Sequence, residues 1–243
     1  MGIEQLYDPS MVYDHNGVIP SRETVEYALG VDLGRQHDYT AISLTEKRIS
    51  PVPLDQPGAV DAVTLRQRVY KPVLTVRALE RRPLGEDYVE QARRVCQMAM
   101  NPQIRGNVTV VVDKTGVGVA VVDIFRRDFG LGLTGITITG GTSESRDPDP
   151  RCRRDWRVPK INLVSTLQAA FARGDLKIVP TLPEAPALAK ELSDFQVKLT
   201  DAGNITTGAR SGSYDDLVLS VAVGCWILTR SSGNRWSVQP FNL

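Results

Sequence analysis

Val108-Thr109-Val110-Val111-Val112-Asp113 is the stretch on which the fold turns. Every residue before the closing acid is β-branched, a side-chain type that packs well on a pleated surface. Unrelieved apolar character predicts a strand covered on both faces, as in an α/β sheet. A second run, Tyr27-Ala28-Leu29-Gly30-Val31-Asp32, also ends in an acid. Ligand sites in such sheets lie outside the carboxyl ends of the strands. If these two strands are neighbours, Asp32 and Asp113 converge there.

Working outward, residues 40–45 and 63–74 read as the second and third strands, with a proline-bearing loop at 47–61. Apolar spacing predicts helices over 86–100, 119–129, 161–173, 183–194 and 215–229. Further strands fall at 134–139 and 176–180, and an Asp-Ala-Gly turn joins a hairpin over 195–207. Three strands followed by helix-strand-helix-strand predict one α/β fold. Its mixed sheet is an antiparallel meander that continues into parallel strands, flanked by helices. Residues 1–26 read as an N-terminal arm, 27–230 as the domain, 140–160 as a loop or hairpin insertion and 231–243 as a tail.

The 243 residues suffice for one such domain with a sizeable core. A net charge of +1 means that any nucleic-acid surface must be a local patch. Cys96, Cys152 and Cys225 are odd in number and far apart, which predicts reduced thiols rather than a disulfide scaffold. No apolar stretch is long enough for a membrane span, and no signal-peptide core opens the chain.

The chemistry falls to acids. Asp38 lies six residues after Asp32, where the turn into the second strand can return it to the same place. Asp215 and Asp216 open the last helix, whose apolar stripe obliges it to lie on the sheet. Asp215 reads as the N-cap, which makes Asp216 the better direct ligand. Carboxylates gathered in one cleft repel, by roughly 4 kcal/mol for a pair about 4 Å apart at an effective dielectric near 20. Such a cluster calls for cations, and all-oxygen donors select Mg²⁺ or Mn²⁺. Two such ions form the clamp of phosphodiester hydrolysis. The only histidines are His15 and His37, the latter read as a surface residue, and no nucleophilic serine motif is present. The bland alternative is that each acid is only a turn former or helix cap.

Gly30-Val31-Asp32-Leu33-Gly34 with Asp38-Tyr39-Thr40-Ala41-Ile42 resembles the first acidic motif of the nuclease domain of phage large terminases. Residues 111–118 (Val-Val-Asp-Lys-Thr-Gly-Val-Gly) resemble the second, and Tyr214-Asp215-Asp216-Leu217-Val218-Leu219-Ser220 the third, where the family commonly has His in place of Tyr214. Val158-Pro159-Lys160 before a helix and residues 174–178 follow the family's layout. The resemblance spans 27–228. It implies a ribonuclease-H-like fold and a two-metal endonuclease for double-stranded DNA. Asp32, Asp113 and Asp216 would be catalytic, and Asp32, Asp38, Asp113, Asp215 and Asp216 would hold the metals. It also implies a place in genome packaging beside a packaging ATPase, small terminase subunit and portal, in the cytoplasm of an infected or lysogenic bacterial host. No phosphate-loop motif is present, so the ATPase motor is not expected here. The alternatives are an actin-like or sugar-kinase ATP binder, whose Gly-x-Asp-x-Gly opening is like Gly30 to Gly34, a Holliday-junction resolvase or integrase relative, and a non-catalytic packaging scaffold.

For DNA contacts the candidates are Lys114, Arg151, Arg153, Arg154 and Lys160, in and before a patch that also holds Arg146, Arg157 and Trp156. The alternative for the patch is a solvated loop of mixed sign, and for Lys114 a solvated turn residue. The pairs Arg81-Arg82 and Arg93-Arg94 read as solvated faces.

Overall fold

In the computed structural model, the strand predicted at 108–113 is β4 (Val108–Asp113) and lies inside an eight-stranded sheet. The structure describes residues 18, 21–34, 38–116, 118–194, 196–199, 205–208 and 215–230. The chain runs β1 (Thr24–Asp32), β2 (Ala41–Ile49), β3 (Val73–Arg81), α1 (Tyr88–Ala99), β4, α2 (Gly118–Asp123), β5 (Leu133–Thr139), β6 (Ser145–Arg146), β7 (Trp156–Pro159), α3 (Lys160–Ala172), β8 (Leu176–Ile178), α4 (Ala185–Asp194), the two-stranded ribbon β9 (Gln196–Leu199) and β10 (Ile205–Gly208), and α5 (Asp216–Arg230). The sheet order is β6-β7-β5-β4-β1-β2-β3-β8. The predicted meander is β1-β2-β3, and its parallel continuation is the pairing of β1 with β4, β4 with β5 and β5 with β7.

Strand alternation sorts the core into two layers. Ala28 and Val111 pack with Leu163, Leu188, Leu217 and Trp226 of α3, α4 and α5. Leu29, Val31, Val110 and Val112 pack with Ala92, Val95 and Val122 of α1 and α2 on the other face. Helix α5 is buried almost all round rather than along one stripe, with Leu217 to Cys225 all buried.

Two expectations are corrected. The third strand is Val73–Arg81, not 63–74. Pro72 has no N–H for a ladder and can only precede a strand, while Leu74, Val76 and Leu79 are the residues that become buried. The helix after β4 passes at Ile124 into a π-helical turn, Ile124–Asp128. Of the two readings of 140–160, loop or hairpin, the structure has the hairpin: β6 and β7 pair antiparallel around a 3-10 turn at Pro150–Cys152 and extend the sheet edge.

Of the described residues, those up to Val25 and 48–73 form one compact unit, and 26–47 with those from Leu74 to Arg230 form the other. Within the first, Ser21 is tied to Gln67 through its amide and hydroxyl, at 3.0 and 2.6 Å. Isolated bridges join Pro51 to Val69 and Val60 to Gln67. All three cysteines are free thiols. Among the described residues no helix is long and apolar enough to cross a membrane.

Candidate metal centre

Asp32 and Asp113 are direct partners in the parallel register of β1 and β4. Both lie on the α5 face, by alternation from Ala28 and Val111. The helix reaches them because of Gly30: a Cβ there would lie 2.0 Å from the backbone oxygen of Ser220. Backbone against backbone, α5 brings Asp216, one turn before Ser220, toward Asp32, two residues beyond Gly30. The two offsets are both about 6 Å. Gly34 does the same for the following loop, where a Cβ would lie 2.2 Å from the Asp38 carbonyl oxygen. The Gly34 amide donates to Thr40 Oγ1 at 2.9 Å, folding Asp38 back. Asp38 is exposed, and its charge is felt at Asp216.

The electrostatics are those of a cluster short of positive charge. Burial, then the charges of Asp113, Asp216 and Asp215, push the Asp32 carboxyl well above its ordinary range, with Lys160 opposing. Burial raises Asp113 to about 6 against the pull of Thr115, whose amide donates to its Oδ1 at 2.8 Å. Asp216 rises to about 7, through burial first and then Glu191, with Arg81 opposing. Lys160 Nζ donates to Asp215 Oδ2 at 2.8 Å. Asp216 is 8% exposed, and its Oδ2 is buried without a hydrogen-bond partner. An unpartnered buried carboxylate oxygen in an all-oxygen donor set fits a hard divalent cation.

No three of Asp32, Asp38, Asp113, Asp215 and Asp216 bring donor atoms within 4.8 Å of one another. The trio that does, among the described residues, is Asp147, Cys152 and Asp155. That trio does not fit a metal, because side-chain cations already hold it. Lys114 Nζ donates to Asp147 Oδ2 at 2.7 Å and to Asp155 Oδ2 at 3.0 Å. Arg126 and the Gly135 amide complete Asp155 at 2.6 and 2.8 Å. Burial pulls the Lys114 pKa down, but its hydrogen bonds to Asp147 and Asp155 outweigh that and raise it. Lys114 is 5% exposed, so neither a solvated turn residue nor a surface contact to phosphate describes it.

The other basic candidates separate. Lys160 stands among the acids. Arg153 and Arg154 are exposed and, with Arg126, line a groove of about 290 Å³ beside Leu131 to Leu133. That is the amino end of β5, opposite the strand ends bearing Asp32 and Asp113. The Arg151 side chain, His37 and Tyr214 lie outside the described residues. Trp156 packs edge-on against Trp226, with the Arg146 guanidinium 3.9 Å above its ring.

The sequence reading missed Glu191 and misplaced Arg81. Glu191 is 6% exposed, accepts from the Leu217 and Val218 amides at 3.0 and 3.2 Å, and pairs with Arg81. Arg81 is therefore no solvated face, and Arg94 likewise pairs with Glu80 and Arg82 with Glu86. The available signal was a Glu three residues after Leu188, on the stripe that α4 buries. Nor does the Asp215 side chain cap α5, since its carboxylate goes to Lys160.

No family model matches the chain, and no curated protein matches it. Solved structures do. The large terminase nuclease from thermophilic phage G20c with bound magnesium superposes with a TM-score of 0.55 and 21% identity, over 89% of this chain and 90% of that one. The same nuclease with bound cobalt gives 0.54 and 21%, over 89% and 90%. The Thermus phage P74-26 large terminase nuclease domain gives 0.50 and 20%, over 88% and 87%. The chain has the ribonuclease-H-like fold that its motifs predict, the fold of large-terminase nuclease domains.

Proposed function

We propose that the protein is a divalent-metal-dependent endonuclease that hydrolyses double-stranded DNA in phage genome packaging. The observation that carries the reading is the excess of buried carboxylates over cations at the carboxyl ends of β1 and β4, with one oxygen of Asp216 left over. In this proposal Asp32, Asp113 and Asp216 are the catalytic acids, and Asp32, Asp38, Asp113, Asp215 and Asp216 hold two ions, Mg²⁺ or Mn²⁺. Bound there, the ions supply an acidified water and charge stabilisation at the leaving oxygen. The chain's own part is to hold the acids. The β1–β4 ladder sets Asp32 against Asp113, α5 presents Asp216, and Lys160 offsets part of their charge.

Residues 27–230 act in this reading as the nuclease domain, between an arm (1–26) and a tail (231–243), with 140–160 as its basic insertion. Arg153 and Arg154, exposed at the strand ends opposite those acids, would contact the DNA backbone away from the cleavage site. The packaging ATPase, small terminase subunit and portal are the proposed partners, in the host cytoplasm. That the phage G20c nuclease was solved both with magnesium and with cobalt bound supports the choice of a metal centre. A kinase-like phosphate loop gains no support, because both glycines of the Gly-x-Asp-x-Gly motif are filled by protein backbone.

The test is supercoiled plasmid incubated with Mn²⁺, Mg²⁺ or a chelator. Nicking and linearisation are expected with either ion and none with chelator. Asp32→Ala and Asp113→Ala are each expected to slow cutting by about 100-fold or more, as loss of a transition-state charge contact does. Undiminished cutting by both variants would sink the assignment.

A further inference from the structure

The first amides of a helix need acceptors, usually the side chain of the N-cap residue. Asp215 occupies that position in α5, since its carbonyl accepts from the Leu219 amide at 2.9 Å. Its carboxylate instead meets Lys160, and Asp216 Oδ2 meets nothing. The amides of Leu217 and Val218 are taken by Glu191 Oε2 from α4, while Arg81 from the end of β3 holds Glu191 Oε1. We propose that Glu191, braced by Arg81, is a positioning residue that caps α5 from outside and so frees the carboxylates of Asp215 and Asp216 to bind metal. This rests on the metal-centre reading above.

Stability alone does not call for the arrangement. A serine at the N-cap, or Asp215 itself, would satisfy the same amides without burying another carboxylate beside Asp216. Arg81 is the counter-charge that makes the outside cap tolerable, and the end of β3 also braces the loop carrying Asp38. The Arg81 guanidinium lies 5.1 Å from the centre of the Tyr39 ring, and the Arg82 amide donates to the Thr40 carbonyl at 2.8 Å. One arginine thus links the Asp38 loop to the start of α5. Without Glu191, the orphaned amides recruit the nearest carboxylate, that of Asp215 or Asp216, and withdraw it from the metals.

The test is calorimetric titration of Mn²⁺ into the 243-residue chain without DNA, comparing wild type with Glu191→Ala and Glu191→Gln. Glu191→Ala is expected to weaken Mn²⁺ binding by about 10-fold or more, the range found when outer partners of metal ligands are removed. Glu191→Gln keeps a single acceptor oxygen, which serves the amides or Arg81 but not both, and gives a smaller loss in the same direction. It carries the test if Glu191→Ala does not fold. A merely structural cap would lower the melting temperature and leave Mn²⁺ affinity per folded molecule unchanged, and that result overturns the inference. Wild-type protein that binds no Mn²⁺ removes the metal centre itself and this inference with it. Wild-type binding matched by both variants removes the inference alone.

Discussion

Two groups of acids lie on opposite faces of the sheet, rooted one residue apart at Asp113 and Lys114, and they balance charge in opposite ways. On the α5 face Asp32, Asp113 and Asp215 share Lys160, Asp216 is opposed by an Arg81 already paired with Glu191, and one buried oxygen has no partner. On the other face Asp147 and Asp155 are matched by Lys114 and Arg126. The matched group has the tighter donor geometry, yet it needs no ion because an ammonium already occupies its centre. Proximity of ligand atoms alone points to the matched cluster. Charge deficit, with the raised carboxyls that accompany it, points to the other, the site proposed above.

The largest effect is expected where the matched group is broken. Lys114→Met leaves Asp155, fully buried, with only part of its compensation. Removing one member of a buried pair costs about 3–5 kcal/mol, to be read from urea denaturation. Lys160→Met removes a partner that is 27% exposed and open to solvent screening, and should cost under about 1 kcal/mol. Equal costs for the two would erase the contrast drawn between the clusters.

An effect smaller than the loss of Lys114 follows from pH. Asp113 at about 6 and Asp216 at about 7 stand above the roughly 3.9 of an unfolded aspartate. Between those limits the folded, metal-free protein binds more protons than the unfolded chain. Its stability therefore falls as pH rises from about 4 to about 7. For Asp216 the loss is on the order of 1 to 4 kcal/mol. Thermal melts in chelator should show the Asp216→Asn variant losing less stability than wild type across this window. Added Mn²⁺ should restore wild type increasingly as pH rises, since it displaces those protons. Parallel wild-type and variant curves would contradict the charge deficit.

Much of this architecture was legible in the chain. The β-branched run of β4 and the acids closing β1 and β4 announce a buried parallel pair, because strand period and strand ends are local properties. Gly30 and Gly34 stood out as a motif, but their reason, contact with Ser220 and with the carbonyl of Asp38, belongs to three-dimensional packing. Glu191 and Lys114 were misjudged or missed for one physical cause. A charged side chain is read as solvated unless its partner is known, and those partners lie 26 to 110 residues away for Glu191 and 33 and 41 for Lys114. The strand misplaced at 63–74 shows the remaining limit, since alternation alone does not reveal which of two adjacent segments a sheet will bury.

Anomalous diffraction from crystals soaked in Mn²⁺ puts the central claim to its most direct trial. Peaks are expected among Asp32, Asp113 and Asp216, with none beside Asp147, Cys152 and Asp155. Density at the lysine-filled trio and a blank at the strand ends would contradict the account.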